Sequence, residues 1–164
     1  MTITTFDKVV ENVSHLQSHL RANGIPSAVV VVQSGATPNL YVHHNVAENP
    51  TALVNAYVNP DYLVAVSNKT IVNGAPEASA DGVDVHSVTI TKYDGTTKTP
   101  KGTGTETIKI MSNNPITSSP PTVVLANGAA VVNLGPVSMI GEWNLIIADQ
   151  AGALVQTTIR LRFV

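Results

Sequence analysis

The chain has 164 residues and a formal net charge of −2, with 43% hydrophobic and only 12% charged side chains. The near-neutral balance gives no electrostatic footing for nucleic acid or an anionic membrane, and the charge content is about half the ~25% usual in soluble domains. Cysteine is absent, which excludes disulfide frameworks, thiolate metal sites and cysteine nucleophiles.

From the N-terminus, Thr4 or Thr5 is placed to cap a helix, with Asp7 in its first turn. Phe6, Val9, Val10, Val13, Leu16 and Leu20 recur at three- and four-residue intervals as one apolar stripe. Arg21 falls in the last turn and Gly24 just beyond it, so the spacing predicts a helix over about residues 5–23. No basic segment leads into an apolar one, so no secretory signal is expected. No apolar run exceeds five residues, the length of Ala28 to Val32, far short of the ~20 that span a bilayer. These features predict a soluble protein made in a cytoplasm.

Pro26, Pro38, Pro50 and Pro60 then break the chain into short pieces. Ala28 to Gln33 reads as a buried strand or an extended piece. Asn49-Pro50 reads as an N-cap followed by Pro at the first helical position, opening a short helix to about Val58. Residues 61–67, with Tyr62, Leu63, Val64 and Val66, fit helix and strand alike.

Beyond Pro76 the pattern changes. Val83 and Val85 alternate in one phase, Val88 and Ile90 in the other, and the flip at His86-Ser87 predicts a bulge or a strand that changes sheets. Ile108 and Ile110 alternate around Lys109. Residues 122–126 and 129–134 flank Asn127-Gly128, the strongest hairpin signal in the chain. Trp143, Leu145 and Ile147 share a face. Val155, Thr157, Ile159, Leu161 and Phe163 do likewise, opposite Gln156, Thr158, Arg160 and Arg162, with Asp149 to Gly152 as the turn between these two strands. Short strands at this density predict a β-sandwich.

The first 76 residues carry seven charged side chains and the remaining 88 carry thirteen. Asn73 to Gly82, rich in Gly, Ala, Pro and Ser, lies at the junction. The expected organisation is an α+β N-terminal domain over residues 1–73, a linker over 74–82 and an all-β sandwich over 83–164. Too little apolar area in the linker predicts that it is not packed down.

Few residues combine into chemistry. His15 and His19 stand four apart, a spacing that lets two imidazoles reach one metal, but a third ligand is lacking and half-buried structural histidines are the commoner reading. His43 and His44 are adjacent and point to opposite faces of an extended segment. Asp81 and Asp84 supply too few oxygens for calcium. No Ser sits in a nucleophile elbow, and Gly95 and Gly102-Thr103-Gly104 lack phosphate-loop spacing. The tract 96–107 reads as a long mobile loop. No catalytic, cofactor or metal residue is assigned, and an enzyme is not expected. Trp143 reads first as a core residue, and second as a stacking platform for a ligand.

Asp81-Gly82-Val83-Asp84, Asn127-Gly128-Ala129, Gly141-Glu142-Trp143 and Ile159 to Phe163 resemble bacterial and phage immunoglobulin-like domains, of the kind displayed on intimins, invasins and virions. In Gly141-Glu142-Trp143-Asn144-Leu145, Trp takes the place of the usual corner Tyr, and Leu145 stands where many such domains have cysteine. By length and architecture the whole chain resembles the head decoration proteins of tailed phages of the T-five type. That resemblance implies a monomer on the outer surface of the capsid, docked on hexamers of the major capsid protein. The N-terminal domain (residues 1–73) would be the anchor and the immunoglobulin-like domain would face solvent. It fixes no individual contact residue. The alternative is a carbohydrate- or host-surface-binding module of a phage fibre or adhesin, with glycans or the host surface as partner of the immunoglobulin-like domain.

Overall fold

In the computed structural model, residues 1–113 and 122–164 are described. The chain divides into two compact units, Met1–Asn59 and Pro60–Val164. No helix among the described residues is long and apolar enough to cross a membrane.

The first unit is a three-stranded antiparallel sheet with helices. Its strands are β1 (Thr2–Phe6), β2 (Val29–Val32) and β3 (Leu40–His44), in the order β1-β3-β2. Helix α1 (Val13–Ala22) begins on Asn12, whose side chain accepts the His15 N–H at 2.9 Å, a standard way to satisfy a free first-turn donor. Leu16 and Leu20 are fully buried and pack with Val30, Leu40 and Val42 of the sheet. Helix α2 (Thr51–Ala56) forms near the expected place, but its N-cap position is Pro50 rather than Asn49 and it ends at Ala56 rather than about Val58; the Asn49 side chain still accepts the Thr51 N–H at 3.1 Å.

The first helix is shorter than its apolar stripe predicts. Residues 2–6, Thr-Ile-Thr-Thr-Phe, suit a pleated half-buried surface and pair in register with β3 from Thr2↔His44 to Phe6↔Leu40. Thr4 and Thr5 are therefore strand residues and cap nothing, and Val9 is exposed. The valine run at 29–32 is a strand, but only Val30 is buried.

The second unit is a two-sheet sandwich. One sheet has the order β10-β7-β4, from β4 (Tyr62–Ser67), β7 (His86–Tyr93) and β10 (Ala129–Leu134). The other has the order β5-β6-β12-β11-β8-β9, from β5 (Ile71–Val72), β6 (Ala75–Ala78), β8 (Thr107–Ser112), β9 (Thr122–Val124), β11 (Gly141–Asp149) and β12 (Thr157–Phe163). The first stretch of the unit is shared between sheets: β4 pairs antiparallel with β7, whereas β6 pairs parallel with β12. This is the strand arrangement of an immunoglobulin-like sandwich. Val88, Ile90, Leu134, Leu145, Ile147, Leu161 and Phe163 fill the space between the sheets.

Three expectations are corrected here. The boundary lies at Asn59/Pro60 rather than at 73/74, because β4 forms six residue pairs with β7 and belongs to the sandwich. Residues 74–82 are not a loose linker: Ala75 and Ala78 are buried, and the Val164 N–H donates to the Ala78 carbonyl at 2.9 Å. Small side chains there permit close approach to β12. Finally, the tract 96–107 is tied down. The Lys101 N–H donates to the Lys92 carbonyl at 2.9 Å, the Gly128 N–H to that of Gly104 at 3.3 Å, and the Lys101 ammonium to Asp61 at 2.8 Å.

The phase flip at residue 86 is neither bulge nor sheet switch. Strand β7 starts at His86, and Val83 and Val85 precede it. The Asn127-Gly128 turn forms as expected, both residues with positive φ and with Ala126 and Ala129 exchanging hydrogen bonds across it. Its two strands then part to opposite sheets, β9 to β8 and β10 to β7.

Candidate docking surface

Strand β3 is the centre of the first unit's sheet, and its alternation sorts side chains onto two faces. Leu40, Val42 and His44 point inward and are buried. His44 is held there by Thr4 Oγ1, 2.8 Å from its Nε2, and by the Asn45 carbonyl, 2.7 Å from its Nδ1. Tyr41 and His43 point outward.

Register fixes the neighbours of those outward residues. His43 lies between Ile3 of β1 and Val29 of β2, and Tyr41 lies between Thr5 and Val31. Directly opposed residues have Cβ atoms about 4.5–5.5 Å apart, so these six form one contiguous patch. Ile3 is 53% exposed, Val29 39% and Val31 44%. Thr5 is exposed, and Tyr41 and His43 are half-buried. No acid, lysine or arginine is among the six. Tyr41 is anchored by its hydroxyl, which donates to the Pro38 carbonyl at 3.0 Å. On the β2 side the edge is braced by α1, with the Val30 N–H donating to Gln17 Oε1 and Arg21 Nε to the Ala28 carbonyl, each at 3.0 Å.

The whole first unit is charge-poor, with Asp7, Lys8, Glu11, Arg21 and Glu48 its only five charged residues. Glu48 is held below the usual carboxylate range by a hydrogen bond from the Ser27 hydroxyl. Contiguous exposed aliphatic side chains without charge are typical of a surface that another protein covers.

The sequence singled out other residues, and the structure disperses them. His15 and His19 both pack against Tyr57, each with ring centroids 5.7 Å away, and His15 Nδ1 is 3.0 Å from the Tyr57 hydroxyl. Burial pushes the Tyr57 phenol upward. No cluster of three or more potential metal ligands occurs among the described residues. Asp81 Oδ1 accepts the N–H groups of Val83 and Asp84, both at 2.8 Å, which lowers its pKa. Asp84 pairs with Lys69 and accepts the Ser79 and Val85 N–H groups, which brings it down to about 2. Both aspartates are thus occupied in shaping their own loop.

Trp143 is 2% exposed and packs edge-to-face on Phe163, with centroids 5.0 Å apart. It is a core residue and offers no stacking platform. The patch on the first sheet was missed because recognising it requires β1, whose residues also fit the helical stripe. The alternation of Ile3-Thr4-Thr5, Val29-Val30-Val31 and Tyr41-Val42-His43 was the available signal.

No protein-family model and no curated protein matches the chain. Among solved structures it is similar to the D0-D1 domain of intimin, at 18% identity and TM-score 0.43, over 62% of this chain and 47% of that one. The chain therefore spans about half the length of that structure. It is also similar to the D00-D0 domain of intimin, at 14% identity and TM-score 0.44, over 99% of this chain and 84% of that one. The immunoglobulin-like fold of the second unit rests on its own strand pairing.

Proposed function

We propose that the chain is a non-enzymatic decoration protein of a phage head. It docks on hexamers of the major capsid protein through the outer face of the β1-β3-β2 sheet and presents its immunoglobulin-like sandwich at the outer surface of the virion. The observation that carries this reading is the uncharged patch of Ile3, Val29 and Val31 around Tyr41 and His43, on a unit with five charges. Such a face gains by losing water and has little charge to desolvate. The resemblance of the whole chain to decoration proteins supplies the partner. In this reading the protein is a monomer before docking and needs no cofactor, nucleic acid or membrane. The alternative of a glycan- or host-surface-binding module keeps the same sandwich but loses Trp143 as its platform.

The test is co-sedimentation with matching phage heads. Wild-type protein should pellet with heads and saturate at the number of hexamers. Ile3→Glu and Val31→Glu, which put carboxylates where water is expelled, should each weaken docking by about 2 kcal/mol or more without changing the thermal melt. Variants that bind as wild type would remove the sheet face from the reading. Failure of the wild-type protein to bind any matching head would remove the capsid.

A further inference from the structure

The chain's five histidines divide by what holds their rings. His86 is bonded to Ser67 and to the Arg162 carbonyl inside the sandwich. His44 is fixed by Thr4 and the Asn45 carbonyl, and His15 and His19 lie against Tyr57. His43 differs. Among the described residues nothing hydrogen-bonds to its imidazole, pairs with it or stacks on it. It stands half-buried on the outer face of the first sheet, between Ile3 of β1 and Val29 of β2.

The two strands beside it bring almost no charge. Tyr41 is the next outward side chain of β3. Diagonally, β1 offers Thr5, with Met1 and its amino group beyond the strand's end, and β2 offers Val31. Glu48, the acid at this end of β3, is turned elsewhere: its Oε2 accepts the Asn45 N–H at 2.9 Å and the Ser27 hydroxyl. No carboxylate among the described residues pairs with His43. Water is therefore what solvates an imidazolium at this position. An apolar partner laid over Ile3, Val29 and Val31 removes that water, and nothing in this chain replaces it. The neutral ring is an amphipathic group that such a face accommodates.

We propose that docking through this face is weakened by mild acid, with protonation of His43 as the switch. The inference rests on the docking reading above and adds its regulation. Only the neutral ring is covered, so the proton and the partner compete for His43. Affinity is full above the imidazole range and is lost as pH falls through it. That range is ordinarily centred near pH 6.5, and a site that takes only the neutral form weakens about tenfold from pH 7.5 to 5.5.

The experiment titrates the labelled full chain with matching phage heads at pH 7.5, 6.5 and 5.5, for wild type and His43→Gln, and records the amide spectrum of the first unit at each pH. Gln keeps a neutral polar side chain and cannot take up the proton. Wild-type affinity should fall about tenfold across the range, and His43→Gln should give a flat profile whatever its affinity at pH 7.5. A flat wild-type profile or an equal slope in the Gln variant would overturn the switch and leave docking in place. So would tighter docking in acid, which would set a carboxylate of the shell opposite His43. Loss of the first unit's amide signals over the same range would assign the effect to unfolding and overturn it too. Absence of wild-type binding at pH 7.5 would remove the docking reading itself, and the switch with it.

Discussion

The Nε2 nitrogen of His86 lies 2.9 Å from the backbone oxygen of Arg162, and this contact joins the two sheets of the sandwich through its core. A carbonyl only accepts, so Nε2 carries the proton. Nδ1 is then the acceptor for the Ser67 hydroxyl at 2.9 Å, and Ser67 Oγ in turn accepts the Lys69 N–H at 3.2 Å. The ring is fully buried and meets the Phe163 ring edge-on, centroids 4.8 Å apart. Every polar atom of this neutral imidazole is satisfied, and a charged one would sit in an apolar core.

This arrangement makes the sandwich sensitive to mild acid. Burial is the main reason the His86 pKa lies below its ordinary value, and the nearby Lys69 charge acts in the same direction, against Asp84 and the Arg162 carbonyl. The unfolded chain therefore takes up the proton first. Stability is full above the usual imidazole value of about 6.5 and is lost as pH falls below it, levelling off beneath the folded value. The other four histidines, His15, His19, His43 and His44, belong to the first unit, so this pH window in the second unit reports on His86 alone. Trp143, the chain's one tryptophan, gives a fluorescence signal confined to that unit. Urea melts followed by that signal should shift to lower denaturant between pH 7.5 and 5.5, and His86→Gln should flatten the shift. A wild-type midpoint constant over this range would contradict the neutral assignment. Asp84, held at about 2 by Lys69 and two N–H donors, acts in a separate and lower window, with stability present above its ordinary value and lost as pH falls toward 2.

What the sequence disclosed and what it concealed follow from which forces were local. Alternation in 143–147 and 157–163 is a property of strands themselves, and both strands and their buried faces are as expected. Asn127-Gly128 specifies its turn by local backbone preference, but nothing local says that the flanking strands leave for different sheets. Phe6, Val9 and Val10 fall at helical intervals by coincidence, and pairing of residues 2–6 with a strand nearly forty residues away overrides that spacing. Ala75 and Ala78 look like linker composition, yet their smallness is what lets β6 lie against β12. The docking patch was concealed for the same reason as β1, since three strands must be assembled before Ile3, His43 and Val29 become neighbours.

Two glycines of the sandwich share a left-handed backbone but differ in surroundings. Gly152 has φ +73° and open space where a Cβ would stand, so Gly152→Ala carries the conformational cost alone, about 1 kcal/mol. Gly128 has φ +76°, and a Cβ there would fall 1.9 Å from the Lys101 carbonyl oxygen. Its own backbone also accepts the Lys92 N–H at 2.8 Å, so turn and tract are fixed together. Gly128→Ala should cost clearly more, about 2 kcal/mol or above, and should speed hydrogen exchange at Lys92 and Lys101. Equal losses for the two variants, read from denaturant melts, would show that the tract yields freely.

Lys8 ties down the second helix of the first unit. Its ammonium donates to the Val54 carbonyl at 2.6 Å and to the Asn55 carbonyl at 2.9 Å at the end of α2, where the Val54 carbonyl also accepts the Tyr57 N–H at 3.2 Å. Partial burial lowers its pKa, the direction expected for a cation giving up water. Lys8→Met keeps the stem and removes both bonds, and should cost the first unit about 1 kcal/mol. Exchange of the α2 amides should quicken while the Trp143 fluorescence melt stays in place. Unchanged α2 exchange would mean that water replaces the ammonium without loss.

Trp143 is the largest side chain of a sandwich that has no cysteine to cross-link its sheets. It pairs across β11–β12 with Leu161, stacks edge-on to Phe163, and has Gly141 so close to its ring that a Cβ there would be 3.3 Å from the indole. Truncating a buried aromatic costs ~3–5 kcal/mol, against a total of ~5–15 kcal/mol for an ordinary domain. Trp143→Ala should therefore leave the second unit unfolded or nearly so at 37 °C. The first unit has a core of its own residues, from Val10 to Tyr57, and its amide signals should persist in the same spectrum. Trp143→Phe separates volume from polarity. The indole Nε1 is buried without a partner among the described residues, so exchange for Phe gives up packing but no hydrogen bond there, and about 1–2 kcal/mol is expected. Amide NMR of both variants on a temperature ramp provides the measurement. An alanine variant melting within a few degrees of wild type would place the indole outside the core and restore it as a ligand platform.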